Sequence, residues 1–395
     1  MAAAPVPAGP NRIAPMRFVL AFGVVSMLGD VVYEGARSVT GPLLADLGAG
    51  AALVGLVTGA GEAVALLFRL VAGPLSDRTG RHWPPTIAGY AITMISVPLL
   101  ALAHALWSAS ALVIAERFGK AVRSPSKDTM LAEASVGLGR GRAFAIHEAL
   151  DQVGALLGPL LVAAAIAVTG DLRWGFALLL IPGVAAMATV GGLRRAAPDP
   201  GAYERAHHPG EPAAPARLPL RFWLYAGCTT LNMAGFATFA VLAYHLQVRH
   251  VVSGAVIPIV YAAAMGAAAV AALAAGRSYD RIGLRGLMIL PPLTAVVPFL
   301  SLSTAPPLIW TGALIWGAVL GVHESTMRAA VADIVPAGRR GTAYGAFAAV
   351  YGLAWLGGSA LIGLLYARSA TAVEVFVVIT QALALPAFAL LVARR

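Results

Sequence analysis

The chain has 395 residues, of which 59% are apolar and only 12% charged, and its mean hydropathy is +0.80. A water-soluble protein of this length cannot keep so much apolar surface from solvent, so the composition excludes an ordinary soluble domain and makes lipid the natural surroundings. The net charge of +10 raises nucleic acid as a partner, but the placement of the basic residues argues against it.

In chain order, residues 1–16 read as a disordered cytoplasmic lead-in. They lack the early basic region and the small-residue cleavage site of a signal peptide. Twelve apolar stretches follow, at roughly 17–44, 50–76, 83–104, 108–131, 142–168, 173–193, 220–247, 251–276, 285–303, 307–333, 341–366 and 371–393. Each is long enough to cross the hydrocarbon as a helix, which takes about 20 residues. Short alternating strands, the mark of a membrane barrel, are missing from the pattern. The segment 194–219 is polar and carries six prolines, which suits a cytoplasmic linker. The predicted fold is therefore an all-α membrane protein of 12 transmembrane helices, in two six-helix bundles at 17–193 and 220–393.

Of the Lys and Arg residues outside these helices, only Arg173, Arg249 and Arg368 fall on one side. The rest fall on the other, together with both termini. This positive-inside asymmetry predicts a multi-pass protein of the plasma or inner membrane with both termini in the cytoplasm. Cys228 is the only cysteine, so an internal disulfide is excluded.

Several charges lie inside the apolar stretches. Asp30, Glu34 and Arg37 are spaced four and three apart, on one helical face. Glu62 and Arg69 share a face of span two and read as a packing pair. Glu116, Arg117, Lys120, Arg123 and Lys127 follow one arc of span four. The cytoplasmic end of that arc, Lys127 and Arg123, is in reach of the interface by snorkelling. Span five carries His147, Glu148 and Asp151, and span ten His323, Glu324 and Arg328. A charge at the bilayer centre costs about 2.5–3.5 kcal/mol on insertion scales, so a face that carries several is expected to line a water-filled cavity. The pairs His147–Asp151 and His323–Glu324 also have spacings that suit a divalent metal. A histidine beside a carboxylate is more often a hydrogen-bonded pair, so no metal or other cofactor is expected.

The two halves echo each other. RGRAFAIHEAL at 140–150 lines up with RGTAYGAFAAV at 340–350, and GPLSDRTGR at 73–81 with GRSYDRIGL at 276–284. The first loop, with Gly73, Asp77, Arg78, Gly80 and Arg81, resembles the signature loop of the major facilitator superfamily. Gly276, Asp280, Arg281 and Gly283 repeat it in part. The resemblance covers the whole chain and implies a secondary transporter whose two loops act as conformational latches. Gly154, Gly158 and Pro159 resemble the superfamily's antiporter motif in span five, although Val162 and Ala163 stand where two further glycines are usual. ERFGKAVR resembles its span-four arginine motif, with Arg117 in the key place. Asp30 and Glu34, with RFGKAVR, resemble a prokaryotic branch of the family.

In that family spans one, four and ten line the cavity. The resemblance therefore implies a proton-coupling and substrate site built from Asp30, Glu34, Arg37, Arg117, Lys120, Arg123, Glu148, Asp151 and Glu324. The expected activity is proton-coupled export of a small solute by a monomer in the bilayer, with no catalytic residue and no nucleic-acid partner. An organic-anion importer or exchanger, with Arg37, Lys120 and Arg123 as the clamp, is the alternative. A divalent-metal exporter and a non-transporting sensor stand behind it.

Overall fold

A computed structural model describes residues 11–72, 75, 80–135, 138, 140–205, 218–335 and 340–393. The described residues contain helices and turns but no strand. In chain order they are α1 (Pro15–Asp46), α2 (Ala51–Leu67), α3 (Trp83–Leu99), α4 (Leu106–Ala134), α5 (Arg140–Thr169), α6 (Leu172–Leu178), α7 (Leu180–Ala196), α8 (Gly201–Arg205), α9 (Leu220–Ala234), α10 (Phe239–Val248), α11 (Val256–Ile282), α12 (Leu290–Ser301), α13 (Pro306–Ile334), α14 (Arg340–Tyr366) and α15 (Ala370–Ala393). In hydrocarbon every backbone N–H and C=O must find its partner within the protein, which is why these apolar stretches fold as helices.

Eleven segments among the described residues are long and apolar enough to cross a membrane. The twelfth, α4, fails that composition test because of its charges. Its 29 residues give about 43 Å of helix, ample to span. Spans six and seven are each made of two helices, α6–α7 and α9–α10. The break in span seven, at residues 235–238, was not visible as a proline in the sequence. Its freed backbone groups are satisfied by side chains: Trp316 Nε1 donates to the Ala237 carbonyl at 3.0 Å, and the Thr238 N–H donates to Ser359 Oγ at 3.3 Å.

Each half has its own apolar core. The first packs Phe18, Phe22, Tyr90, Met94 and Phe176; the second packs Phe222, Phe236, Phe239, Trp316 and Phe347. The halves repeat in backbone detail. Gly80 and Gly283, matched positions of the two signature loops, have φ of 60° and 59°, a left-handed conformation that glycine adopts without the Cβ penalty. Gly73, Asp77 and Arg78 lie outside the described residues, and of Asp280 only the backbone is described. Arg81 and Arg281 are exposed.

Two segment boundaries are corrected. Residues 11–14 are not a loose lead-in, because Arg12 N–H donates to the Ala196 carbonyl at 2.7 Å and Asn11 exchanges two hydrogen bonds with the Asp199 backbone. The polar segment after residue 193 begins as helix, with α7 running to Ala196 and α8 following. Tyr203 donates to the Ile13 carbonyl at 2.8 Å and packs on Phe18, which fixes the start of the connector to the first half.

The halves meet along α1–α10, α2–α14 and α5–α11. At the end remote from the chain termini the approach is backbone to backbone. A Cβ on Gly41 would sit 2.1 Å from the Ala240 carbonyl oxygen, and one on Gly55 2.2 Å from that of Ser359. Thr58 and Thr238 join their hydroxyls across this seam at 2.7 Å, and Gln247 Nε2 donates to Asp46 Oδ1 at 3.0 Å.

Candidate functional site

The charges of α1, α2 and α4 converge in the middle of the first half. Arg37 Nη2 donates to Glu62 Oε1 at 2.9 Å, and Arg37 Nη1 lies 3.6 Å from Glu34 Oε2. Arg117 Nη1 lies 3.2 Å from the same Glu62 oxygen, and Arg117 Nε lies 3.3 Å from Glu116 Oε2. All five residues are buried, at 8% exposure or less. Ion pairs so far from water hold only when the partners are matched and hydrogen-bonded. Here Glu34, Arg37, Glu62, Arg117 and Glu116 form one continuous chain.

Tyr33 is the platform beneath it. Arg117 donates to its hydroxyl. Over its ring stand the Arg117 guanidinium, at 4.5 Å from the centroid, and Lys120 Nζ, at 3.7 Å. The second half reaches in at two points. Tyr261, on α11, donates its hydroxyl to Glu34 Oε2. The Trp355 ring, on α14, lies 5.9 Å from the Arg37 guanidinium. The Glu34 carboxylate is thus shared between an arginine of its own helix and a tyrosine of the other half.

A second cluster lies towards the termini. Lys127 Nζ is 3.0 Å from His147 Nε2, 3.2 Å from Ser26 Oγ and 3.7 Å from Asp151 Oδ2. An ammonium has only protons to give, so His147 Nε2 is the acceptor and the ring is neutral. His147 Nε2 lies 3.5 Å from Asp151 Oδ2, and the ammonium completes a triangle with these two atoms. His323 turns away from Glu324 altogether. It is bonded to Asn232 Oδ1 at 2.6 Å, while Asn232 Nδ2 donates to Gln381 Oε1 at 2.6 Å and to Thr294 Oγ1 at 3.3 Å.

Of the residues predicted to line the site, Glu34, Arg37 and Arg117 meet in the central cluster, with Lys120 against Tyr33. Asp30 is half-buried beside the α5 seam, where a Cβ on Gly154 would lie 3.1 Å from its Cβ. Asp151 joins Lys127. Arg123 does not enter the central chain, because it donates to Thr93 Oγ1 at 2.7 Å and covers the Tyr90 ring. Arg123 and Lys127, expected to reach outwards, both turn to partners on neighbouring helices. Glu148 is exposed and accepts from Gln152 at 3.1 Å. Glu324 is exposed as well and feels the charges of Lys120, Glu148, Glu34 and Arg37. The side chain of Arg328 lies outside the described residues.

Gly154 and Gly158 form the seam between α1 and α5. A Cβ on either would lie within 2.3 Å of the Met27 or Val31 carbonyl oxygen, so small residues here set the helix approach. Pro159 lies in the same helix.

Sequence reasoning missed three participants. Glu62 reads as a packing partner of Arg69, but it is the hub between Arg37 and Arg117. Glu116 stood in the arc of span four without a role. Tyr261 is a lone phenol in the apolar run IPIVYAAAMG, and nothing local marks it. Only the contact between halves reveals it.

Two helical bundles, the first with a buried chain of charges that the second touches through Tyr261 and Trp355, have the build of a multi-pass membrane carrier. The chain matches the Major Facilitator Superfamily over residues 22–393 and belongs to it. An uncharacterized protein of Mycobacterium tuberculosis is 52% identical over 377 residues, spanning 94% of this chain and 92% of the relative. An uncharacterized MFS-type transporter of Methanocaldococcus jannaschii is 29% identical over 140 residues, 35% of each chain. Among solved structures, the nucleoside transporter NupG superposes with a TM-score of 0.72 at 13% identity, covering 96% of this chain and 99% of its own. A bacterial homolog of the human lysosomal transporter Spinster, inward-facing and occupied, gives 0.72 at 15% identity, covering 98% and 96%. These structural likenesses concern the fold.

Proposed function

We propose that the protein is a proton-coupled secondary transporter that exports a small solute by alternating access, with both termini in the cytoplasm. The observation that carries this reading is the Glu34 carboxylate, held at once by Arg37 of its own half and Tyr261 of the other. A hydrogen bond to an ionised acceptor is roughly twice as strong as one to a neutral group. Protonating Glu34 therefore weakens both its ion pair and its tie to the second half. Proton binding and the parting of the halves become one event, which is what coupling requires.

The pattern of exposure supports the same reading. The halves are in backbone contact at the Thr58–Thr238 end, while on the termini side Glu148 and Glu324 are exposed and Asp30 and Lys120 half-buried. Export is supported by the likeness of Gly154, Gly158 and Pro159 to an antiporter motif and by the place of Gly154 against Asp30. The anion-clamp reading is weaker. Arg37 already holds two carboxylates, Arg123 is turned to Thr93 and Tyr90, and Lys120 alone remains.

The test is flux in liposomes that contain the purified protein and an internal pH dye. Pools of amphiphilic cations, organic anions and divalent metals are screened for substrate-dependent proton movement. The reading expects a hit whose proton movement disappears in Glu34→Gln while the variant still inserts. Radiolabel exchange without proton movement in any pool would replace it with a uniporter or an exchanger.

A further inference from the structure

The central chain of charges does not balance. Three carboxylates, Glu34, Glu62 and Glu116, are held by two guanidiniums, Arg37 and Arg117. Glu62 has both arginines, and Glu34 has Arg37 and Tyr261. Glu116 has only the Nε edge of Arg117, and its second oxygen, Oε1, is buried without a hydrogen-bond partner. Glu116 is 6% exposed.

Glu116 lines a cavity of about 20 Å³ together with Arg37, Glu62, Arg117, Thr40, Thr58 and Thr238. That is room for about one water molecule. The cavity lies against the seam closed by Thr58 and Thr238. The groups that face Glu116 offer no further cation at bonding distance. On its own helix Lys120 stands over Tyr33 and Arg123 is bonded to Thr93. From α2 comes the carboxylate of Glu62, from α3 Thr93, whose hydroxyl donates to the Glu116 carbonyl at 3.4 Å, and from α1 Glu34 and Arg37. An ionised oxygen left without a donor in such a place is costly, whereas a carboxylic acid is tolerated. One proton on Glu116 leaves two carboxylates facing two guanidiniums.

We infer that Glu116 is a second proton site of the carrier. It holds its proton while the Thr58–Thr238 seam is sealed, and a single water in the cavity is the route by which that proton leaves when the seam opens. The inference rests on the proton-coupled reading above and adds an acid at the opposite end of the chain Glu34–Arg37–Glu62–Arg117–Glu116.

The test is infrared spectroscopy of the purified full-length protein in nanodiscs at neutral pH, which needs no substrate. A C=O stretching band of a protonated carboxyl is expected in the wild type. It shifts when glutamate is labelled with carbon-13, persists in Glu148→Gln and Glu324→Gln, and is lost in Glu116→Gln. If Glu116→Gln fails to insert, the labelled wild type and the other two variants decide alone. Absence of the band, a band that ignores labelled glutamate, its loss in Glu148→Gln or Glu324→Gln, or its persistence in Glu116→Gln would each overturn the assignment. The two readings fail separately. A band from Glu116 stands even where no pool moves protons, and coupled flux without the band removes Glu116 alone.

Discussion

In the first half, α1, α2 and α4 bury Glu34, Arg37, Glu62, Glu116 and Arg117 in one chain of ion pairs. In the second half, α9, α12, α13 and α15 bury Asn232, Thr294, His323 and Gln381, joined by hydrogen bonds between neutral groups. Around them stand stacked aromatic rings, Phe236 on Trp316 and Tyr225 on Phe347. A neutral network keeps its bonds whether or not a carboxylate elsewhere takes a proton. A charged chain does not, because each carboxylate that is neutralised frees an arginine. On the proton-coupled reading proposed above, the first half is the part that answers to protons, and the second is the platform against which it moves. Tyr261 and Trp355 are the points where the platform touches the charged chain.

Substitutions break this comparison at graded cost. Arg37→Ala leaves Glu34 without a cation and Glu62 with Arg117 alone, and removing one partner of a buried pair costs about 3–5 kcal/mol. Thermal unfolding of the purified variant in detergent should show the largest loss of the series. Asn232→Leu leaves His323 and Gln381 without their shared partner, a neutral loss of about 1–3 kcal/mol. The same assay should place it well below Arg37→Ala, and the reverse order would remove the contrast between the halves. Lys120→Met removes only a cation from the Tyr33 face at a half-exposed site, worth about 0.5–1 kcal/mol. Its unfolding temperature should stay close to that of the wild type.

The sequence carried most of the fold, because apolar length and a positive-inside bias are imposed by the bilayer itself. It carried the site less evenly. Asp30, Glu34 and Arg37 were legible as a face of one helix, and Arg117 through its motif. Glu62 was assigned to the wrong neighbour, because helical spacing pairs it with Arg69 and is silent about Arg37 and Arg117 on other helices. Tyr261 was illegible, since its role depends on contact with a helix more than two hundred residues away. The break in span seven was missed because neutral side chains, Trp316 and Ser359, support it in place of a proline.

The most direct measurement is the distance between the halves at the sealed end as Glu34 changes charge. Spin labels on Gly50→Cys and His250→Cys, both exposed positions, in a Cys228→Ser background would report it in nanodiscs. The account predicts a short distance at neutral pH in the wild type, a growing long-distance population on acidification, and that same population at neutral pH in Glu34→Gln. A distance distribution that ignores both pH and Glu34→Gln would contradict it.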